Sequence, residues 1–229
     1  MNYTYSHALG NSSNAGLGAQ NNDGFRDSRQ PELEYGNLDF DVRHRFTAGY
    51  SWDLPIGRGM ALAGKSGTLV NALIGRWQMS GVVTLSSGTW FTVTDSNANF
   101  SNSDGQQRPD FVPGQRASGK PCVAGTFFNT CAFKDPALGS FGTVSLNSLN
   151  GPGNKNWDAS VLKTVPMGEA RRLELRGEFY NVLNHPNFLF AGAGPQNSNN
   201  ATVFGSSNFG VLTAARDPRL IQIGAKIYY

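Results

Sequence analysis

The sequence predicts an all-β chain. The expected fold is an antiparallel up-and-down sheet of about six long strands, curled like part of a transmembrane β-barrel wall, with long loops at one end. Three observations carry this expectation. Apolar and polar residues alternate at every second position in several separate segments. The connections between those segments are alternately short and long. The 229 residues include 28 Gly, 11% are aromatic and only 15% are charged, a composition rich in strand and turn formers.

Composition also excludes. The length suits one sizeable domain, and mean hydropathy is −0.35. No run of the sequence approaches the roughly 18 apolar residues that a spanning helix needs, so a membrane role must use strands. Net charge is +3, with Lys and Arg scattered and no basic stripe of the kind that nucleic acid demands. The opening MNYTYSHALG already alternates and has no apolar h-region, so no signal peptide is expected. The chain is then either cytosolic or the C-terminal piece of something longer.

The segments follow in order. NYTYSHAL is short and ambiguous. In VRHRFTAGYSWDL, Phe46, Ala48, Tyr50, Trp52 and Leu54 share one face, and Arg43, Arg45, Thr47, Ser51 and Asp53 the other. Residues 55–73 form a short link, with TLVNALIG as a short helix. Residues 74–94 read as one long strand with Trp77, Met79, Gly81, Val83 and Leu85 on its apolar face, opposite Arg76, Gln78, Ser80, Thr84 and Ser86. WDASVLKTV alternates less regularly, and Lys163 interrupts its apolar side. PMGEA is a tight turn. RRLELRGEFY sets Leu173, Leu175, Gly177 and Phe179 against the ladder Arg172, Glu174, Arg176 and Glu178. The ending PRLIQIGAKIYY places Ile221, Ile223, Ala225 and Ile227 on one face and closes on Tyr229.

A soluble antiparallel sandwich, acting as a binding module, is the alternative, because its strands also alternate. Long strands, full charges in ladders and aromatics near strand ends favour the barrel wall. From Trp77 to Phe91 is about 46 Å of strand; tilted ~40°, this covers the ~25 Å apolar band and puts an aromatic at each border. The remaining connections, 10–41, 95–155 and 186–217, are rich in Asn, Ser, Gly and Pro and lie on the far side, where an outer-membrane protein meets ligands.

Other chemistry is weighed against this frame. GMALAGKS at 59–66 fits G-x-x-x-x-G-K-[ST], with Lys65 placed for phosphates and Ser66 for magnesium. The segment before it alternates and carries Arg43, Arg45 and Asp53, whereas a P-loop follows a buried, continuously apolar parallel strand; the stretch is read as a turn. His7, His44 and His185 lie apart without metal spacing. NNDGFRDSRQPE resembles a calcium loop in composition only, with Ala19 and Gln30 at the first and twelfth ligand places. Cys122 and Cys131 share one far-side loop. A disulfide is expected in an oxidising compartment, with two free buried thiols and a metal pair as alternatives. Arg43, Arg45, Arg76, Arg172, Glu174, Arg176 and Glu178 are read as lumen-facing charges that either contact a filling domain or guide a solute.

The order of DVRHRFTAGYSWDLPIG, GRWQMSGVVTLSSGTWFTV, RPDFVPG, FGTVSLNSLNGPGNKNWDASVLKTV, RLELRGEFYNVLNHPNF and ARDPRLIQIGAKIYY resembles the C-terminal barrel end of TonB-dependent receptors, in particular the Oar-like group with a carboxypeptidase-regulatory-like domain. NVLNHPNF and ARDPR…QI carry most of this resemblance, which covers nearly the whole chain. It implies that residues 1–229 are the last part of a receptor barrel in the bacterial outer membrane, with no plug in this stretch. The implied role is transport, not catalysis, with no cofactor and an unnamed ligand. The implied partners are outer-membrane lipid, the rest of the receptor with its plug, TonB through that plug, and the barrel-assembly machinery. The last would read Ile221, Ile223, Ala225, Ile227 and Tyr229 as its signal. Six strands enclose no wide lumen, so open edges are expected at the first and last strands.

Overall fold

The computed structural model describes residues 1–11, 26–27, 29–95, 107–168, 171–189 and 201–229. Its centre is one six-stranded antiparallel meander in chain order. The strands are β1 (Asn2–Tyr5), β2 (His44–Asp53), β3 (Trp77–Ser86), β4 (Asn154–Pro166), β5 (Arg172–Tyr180) and β6 (Leu220–Tyr228). The sheet is open. β1 and β6 are its edges, and β1 covers only His44 to Thr47 of β2, so 48–53 has no partner on that side among the described residues.

Register turns the alternation into two faces. Tyr3 pairs with Phe46, Phe46 with Leu85, Ala48 with Val83, and Trp52 with Met79. Val83 then pairs with Trp157, Met79 with Val161, Val165 with Leu173, and Phe179 with Ile221. Directly paired residues point to the same side of a sheet, so these apolar side chains form one continuous face. Many are bare: Trp52, Leu85, Leu175, Ile221, Ile223 and Ile227 are all exposed. The opposite face runs Thr47, Thr84, Asn156 and onward to Ser160, Glu178 and Gln222.

Lys163 sits on the apolar face near the end of β4, opposite Trp77 and Leu175. It is buried, its ammonium donates to the carbonyl of Gly75, and it lies 5.3 Å from the centroid of the Trp77 ring. A long side chain thus reaches a polar partner at the sheet's end while its stem stays in apolar company.

The 54–76 link carries one helix, α1 (Thr68–Ile74). Asn71 fastens it: its side-chain oxygen accepts from the Arg58 amide at 2.6 Å. GMALAGKS lies in this link, with Leu62 bridged to Ile56, between two antiparallel strands. The phosphate-loop arrangement of parallel strand, loop and helix is not formed there.

The expected single strand over 74–94 is corrected. β3 ends at Ser86. At Gly88 the chain passes so close to Gly151 that an added Cβ would lie 1.9 Å from its carbonyl oxygen. Beyond this crossing Trp90–Phe91 pairs with Leu149–Asn150, and Phe91 packs against a loop core instead of bordering the apolar band. The far-side loops therefore begin at 87 and at 181, earlier than the spacing suggests.

Those loops form a layer of their own. Every buried apolar side chain among the described residues lies outside the six strands. Val93, Ala117, Phe128, Ala132, Phe133, Val144 and Leu149 make one cluster, flanked by Phe91, Phe111, Phe204 and Phe209. Phe128, Phe133 and Phe209 meet edge to face with centroids 5.2–5.9 Å apart, the favoured aromatic geometry. We refer to this layer as the cap.

One close approach in the sheet yields a test. At Gly81 an added Cβ would lie 2.6 Å from the Asp158 carbonyl and 2.7 Å from the Tyr50 hydroxyl, whereas Gly49 has only one neighbour, at 3.9 Å, and Gly224 none within 4 Å. The Tyr50 hydroxyl accepts from the Trp157 indole at 3.1 Å, so a ring lies across the glycine. Gly81→Ala should destabilise the folded protein by about 1–3 kcal/mol, the usual cost of overpacking. Gly49→Ala and Gly224→Ala should be near neutral. The urea midpoints of the heat-modifiable form in detergent measure this; equal midpoints for all three would remove the packing argument.

Candidate functional site

Three surfaces can act on something outside the chain: the apolar face, the polar face and the cap. The polar face carries the charges expected to line a lumen. Alternation in β5 puts Arg172, Glu174, Arg176 and Glu178 on it, and β6 answers with Tyr228, Lys226, Gly224 and Gln222. The charges pair within the strand. Arg172 Nε lies 3.0 Å from Glu174 Oε1, and an Arg176 nitrogen 2.9 Å from Glu178 Oε1. Hydroxyls complete the row: Tyr228 donates to Glu174 at 3.1 Å and Tyr180 to Glu178 at 3.3 Å. The Arg172 guanidinium stacks 4.0 Å above the Tyr228 ring. Both arginines are more than half exposed, so each ion pair adds only about 0.2–1 kcal/mol. The row is a hydrated, nearly neutral wall, not a concentrated charge.

Beside this wall the sheet dips. The depression, about 330 Å³, is lined by Gly49, Ser80, Asp158, Ser160, Arg176 and Glu178 among others. Glycine at 49 leaves its floor bare, and the Ser80 and Ser160 hydroxyls are 2.8 Å apart. Asp158 is already engaged, accepting from the Asn181 amide at 2.9 Å and from Asn156 at 2.9 Å. Among the described residues, no group of three or more His, Cys, Asp or Glu could hold a metal ion.

The other expected lumen charges lie elsewhere or stand alone. Arg45 is exposed on the polar face, opposite Thr4 and Ser86. Arg43 precedes β2 and belongs to the seam with the cap, where it binds Asp41 at 3.1 Å and Asn37 at 2.9 Å and lies 5.1 Å from the Trp90 ring centre. Arg76 has φ 58° and is exposed in the link before β3, a backbone turn that alternation alone does not foresee.

The cap is tied to the sheet by asparagines, which sequence reasoning quoted without assigning a role. In NVLNHPNF, buried Asn187 accepts from the Lys155 amide at 2.8 Å and donates to the Lys155 carbonyl at 3.0 Å. Its side-chain amide thus stands in for a strand partner where the β4–β5 ladder has ended. Asn184 accepts from the Arg219 amide at 3.0 Å, setting the entry to β6. Asn181 closes the turn by exchanging bonds with His185 at 3.0 and 3.1 Å. Asn181 and Asn184 have φ 52° and 50°, a conformation that Asn tolerates better than most residues.

Cys122 and Cys131 form a disulfide with Cα atoms 6.1 Å apart, inside the cap. The calcium-like stretch lies largely outside the described residues. Of its described part, Asp27 binds the Arg29 amide at 2.9 Å and Gln30 at 3.1 Å, and the Arg29 backbone bond leads the causes that hold its carboxyl below the ordinary value. At the far end, Ile221, Ile223, Ala225 and Ile227 share the apolar face with Leu173 to Phe179, and Tyr229 follows β6 fully exposed.

The cap's central polar contact joins two loops. Glu34 is buried between Arg26 and Arg108 and bridges to both guanidiniums, at 2.8 Å for Arg26. Arg26 also donates to the carbonyls of Gly142 at 2.7 Å and Leu33 at 2.9 Å. Burial alone would raise the Glu34 carboxyl. The hydrogen bond from Arg26 and the charges of Arg108 and Arg26 outweigh it and hold the group below its ordinary value of 4.5. A depressed carboxyl stabilises the folded state above its unfolded pKa, and that stability is lost as pH falls through the folded value. Acidification below 4.5 should therefore loosen the cap before the sheet. Hydrogen exchange should rise first in 29–41 and 107–150, with the strands still protected. Glu34→Gln should exchange quickly there at neutral pH already, because it leaves buried arginines uncompensated. Acid-insensitive cap protection in the unmodified protein would refute the assignment.

A family model described as outer membrane beta barrel domain matches residues 1–222. The chain belongs to this family and resides in the bacterial outer membrane. No curated protein and no solved structure matches it. The bare apolar face is accordingly the lipid-facing side of the wall, with the cap at one end of the sheet.

Proposed function

We propose that this outer-membrane β-barrel protein is the C-terminal part of a TonB-dependent receptor, serving active uptake of a large or scarce solute. The observation that carries the reading is the polar face. It holds ion-paired Arg and Glu with tyrosine hydroxyls along β5 and β6 and a serine pair between β3 and β4, yet six strands enclose no wide lumen. Such a wall suits a larger barrel filled by a polar domain, and a TonB-dependent receptor has that plan: a plug inside the barrel, coupled to TonB. The order of the segments supports the same family, with NVLNHPNF and ARDPR…QI forming the asparagine-pinned corner between β5 and β6. In this reading the neutralised ladder of β5 is a surface against which a plug rests, and solute meets the cap first. The barrel-assembly machinery would take Ile221, Ile223, Ala225, Ile227 and Tyr229 as its signal. The role is transport, with no catalytic residue assigned.

A photoreactive amino acid at Gln222 or Thr47, on the polar face, tests this in the full-length protein in outer membranes. An intramolecular adduct to a segment beyond 1–229 is expected at both positions. Absence of adducts, together with free reaction of cysteines at these positions with a hydrophilic thiol reagent, would mean an open water-filled pore and would contradict the receptor reading.

A further inference from the structure

The 54–76 link is unlike a simple hairpin turn. α1 has no buried residue, and its Leu69, Val70 and Leu73 side chains are exposed. Leu69 is 84% and Leu73 74% exposed. These two are four residues apart and share one helix face. Asn71, two positions from each, lies on the opposite side of a 3.6-residue turn and holds the helix to the Arg58 amide. The inward side of α1 is thus fixed, and a leucine ridge is what remains outside.

The helix lies toward the lipid side of the sheet. Trp77 and Lys163 both belong to the apolar face. The Trp77 indole donates to the Leu73 carbonyl at 3.0 Å, and Lys163 donates to the carbonyl of Gly75, the residue capping the helix. The last turn of α1 is therefore anchored on the side that meets hydrocarbon, at the end of the sheet remote from the cap. Within the link the charges have one sign, with exposed Asp53 just before it at the end of β2. Arg58, Lys65 and Arg76 are exposed, and 54–76 contains no Asp or Glu.

We propose that α1 is an in-plane lipid anchor. Leu69 and Leu73 insert between acyl chains of the leaflet opposite the cap, and Arg58, Lys65 and Arg76 bind anionic phospholipid headgroups. The ridge continues the lipid-facing side of the wall, so one membrane covers both. An amphipathic helix of this kind buries its apolar face about 5–10 Å into the headgroup and acyl boundary. This absorbs Lys65, which the phosphate-loop pattern of GMALAGKS left without a role. The inference rests on the outer-membrane location and is independent of the uptake reading.

Nitroxide labels in the full-length protein test it. Leu69→Cys, Leu73→Cys, Lys65→Cys and Ile223→Cys are made singly, and the Cys122–Cys131 disulfide leaves no competing thiol in this stretch. All four positions are exposed, so folding is not at risk. The protein is reconstituted in vesicles of phosphatidylethanolamine and phosphatidylglycerol, and collisions with oxygen and with a water-soluble nickel complex are compared. The oxygen-to-nickel ratio at 69 and 73 should approach that at Ile223 and exceed that at Lys65 roughly tenfold, as acyl-chain burial requires. In pure phosphatidylcholine the ratio at 69 should fall several-fold. Nickel-dominated collisions at 69 and 73, with Ile223 still in lipid, would overturn the anchor while leaving the barrel intact. Labels immobilised and reached by neither reagent would mean a protein partner and would also overturn it. An Ile223 label open to nickel would remove the membrane placement on which the anchor depends.

Discussion

In hydrocarbon a backbone amide or carbonyl has no water to turn to, and each one left unpaired costs several kcal/mol. The rest of this architecture depends on that constraint. It demands continuous strand pairing, and continuous pairing fixes register. Because side chains alternate, a one-residue slip would send Leu173, Leu175 and Phe179 to the polar side and the β5 charges to lipid. Details at the sheet's ends follow from the same demand. Past Ala159, where the β4–β5 ladder stops, the Asn187 amide exchanges both bonds with Lys155. Where a lysine falls on the lipid face, it lies three residues before the end of β4 and finds the Gly75 carbonyl. The outer sides of β1 and β6, and of β2 beyond Thr47, have no strand partner among the described residues.

Lipid also relocates the hydrophobic core. Apolar side chains on the lipid face gain little by touching one another, since acyl chains serve as well. The driving force for burying apolar surface acts where there is water, and the buried cluster accordingly lies in the cap. There, Phe packing and the Glu34–Arg108 contact join loops that are distant in sequence, and the Cys122–Cys131 disulfide closes one of them on itself. The cap thus has a core of its own, separate from the six strands.

Legibility followed the same division. β2, β5 and β6 could be read because each alternates apolar residues with charged, polar or glycine residues along its length, and their faces in the structure are the faces the alternation implies. The short helix of the 54–76 link was visible in TLVNALIG. β3 was overread, since alternation does not register a backbone crossing such as Gly88 against Gly151. Arg43 and Arg76 were placed by parity, which fails at strand ends: one is claimed by Asp41 and Trp90, the other itself has a positive φ. The cap core could not be read at all. Phe91, the Phe128 and Phe133 pair, and Phe209 come from three separate stretches of the chain with no common period, and only tertiary folding brings them together. The roles of Asn181, Asn184 and Asn187 were hidden likewise, although an asparagine-rich corner after a strand is a signal that could have been followed.

The central claim is that one face of this sheet meets lipid and the other does not. A phospholipid carrying a photoactivatable diazirine in its acyl chain, incorporated into native outer membranes and mapped by mass spectrometry, tests it without altering the protein. Adducts are expected at alternate residues, including Phe46, Trp52, Val83, Leu175, Ile223 and Ile227, and not at Thr47, Gln78, Thr84, Glu174 or Gln222. Adducts on both sets, on the polar set alone, or on no strand at all would contradict the account.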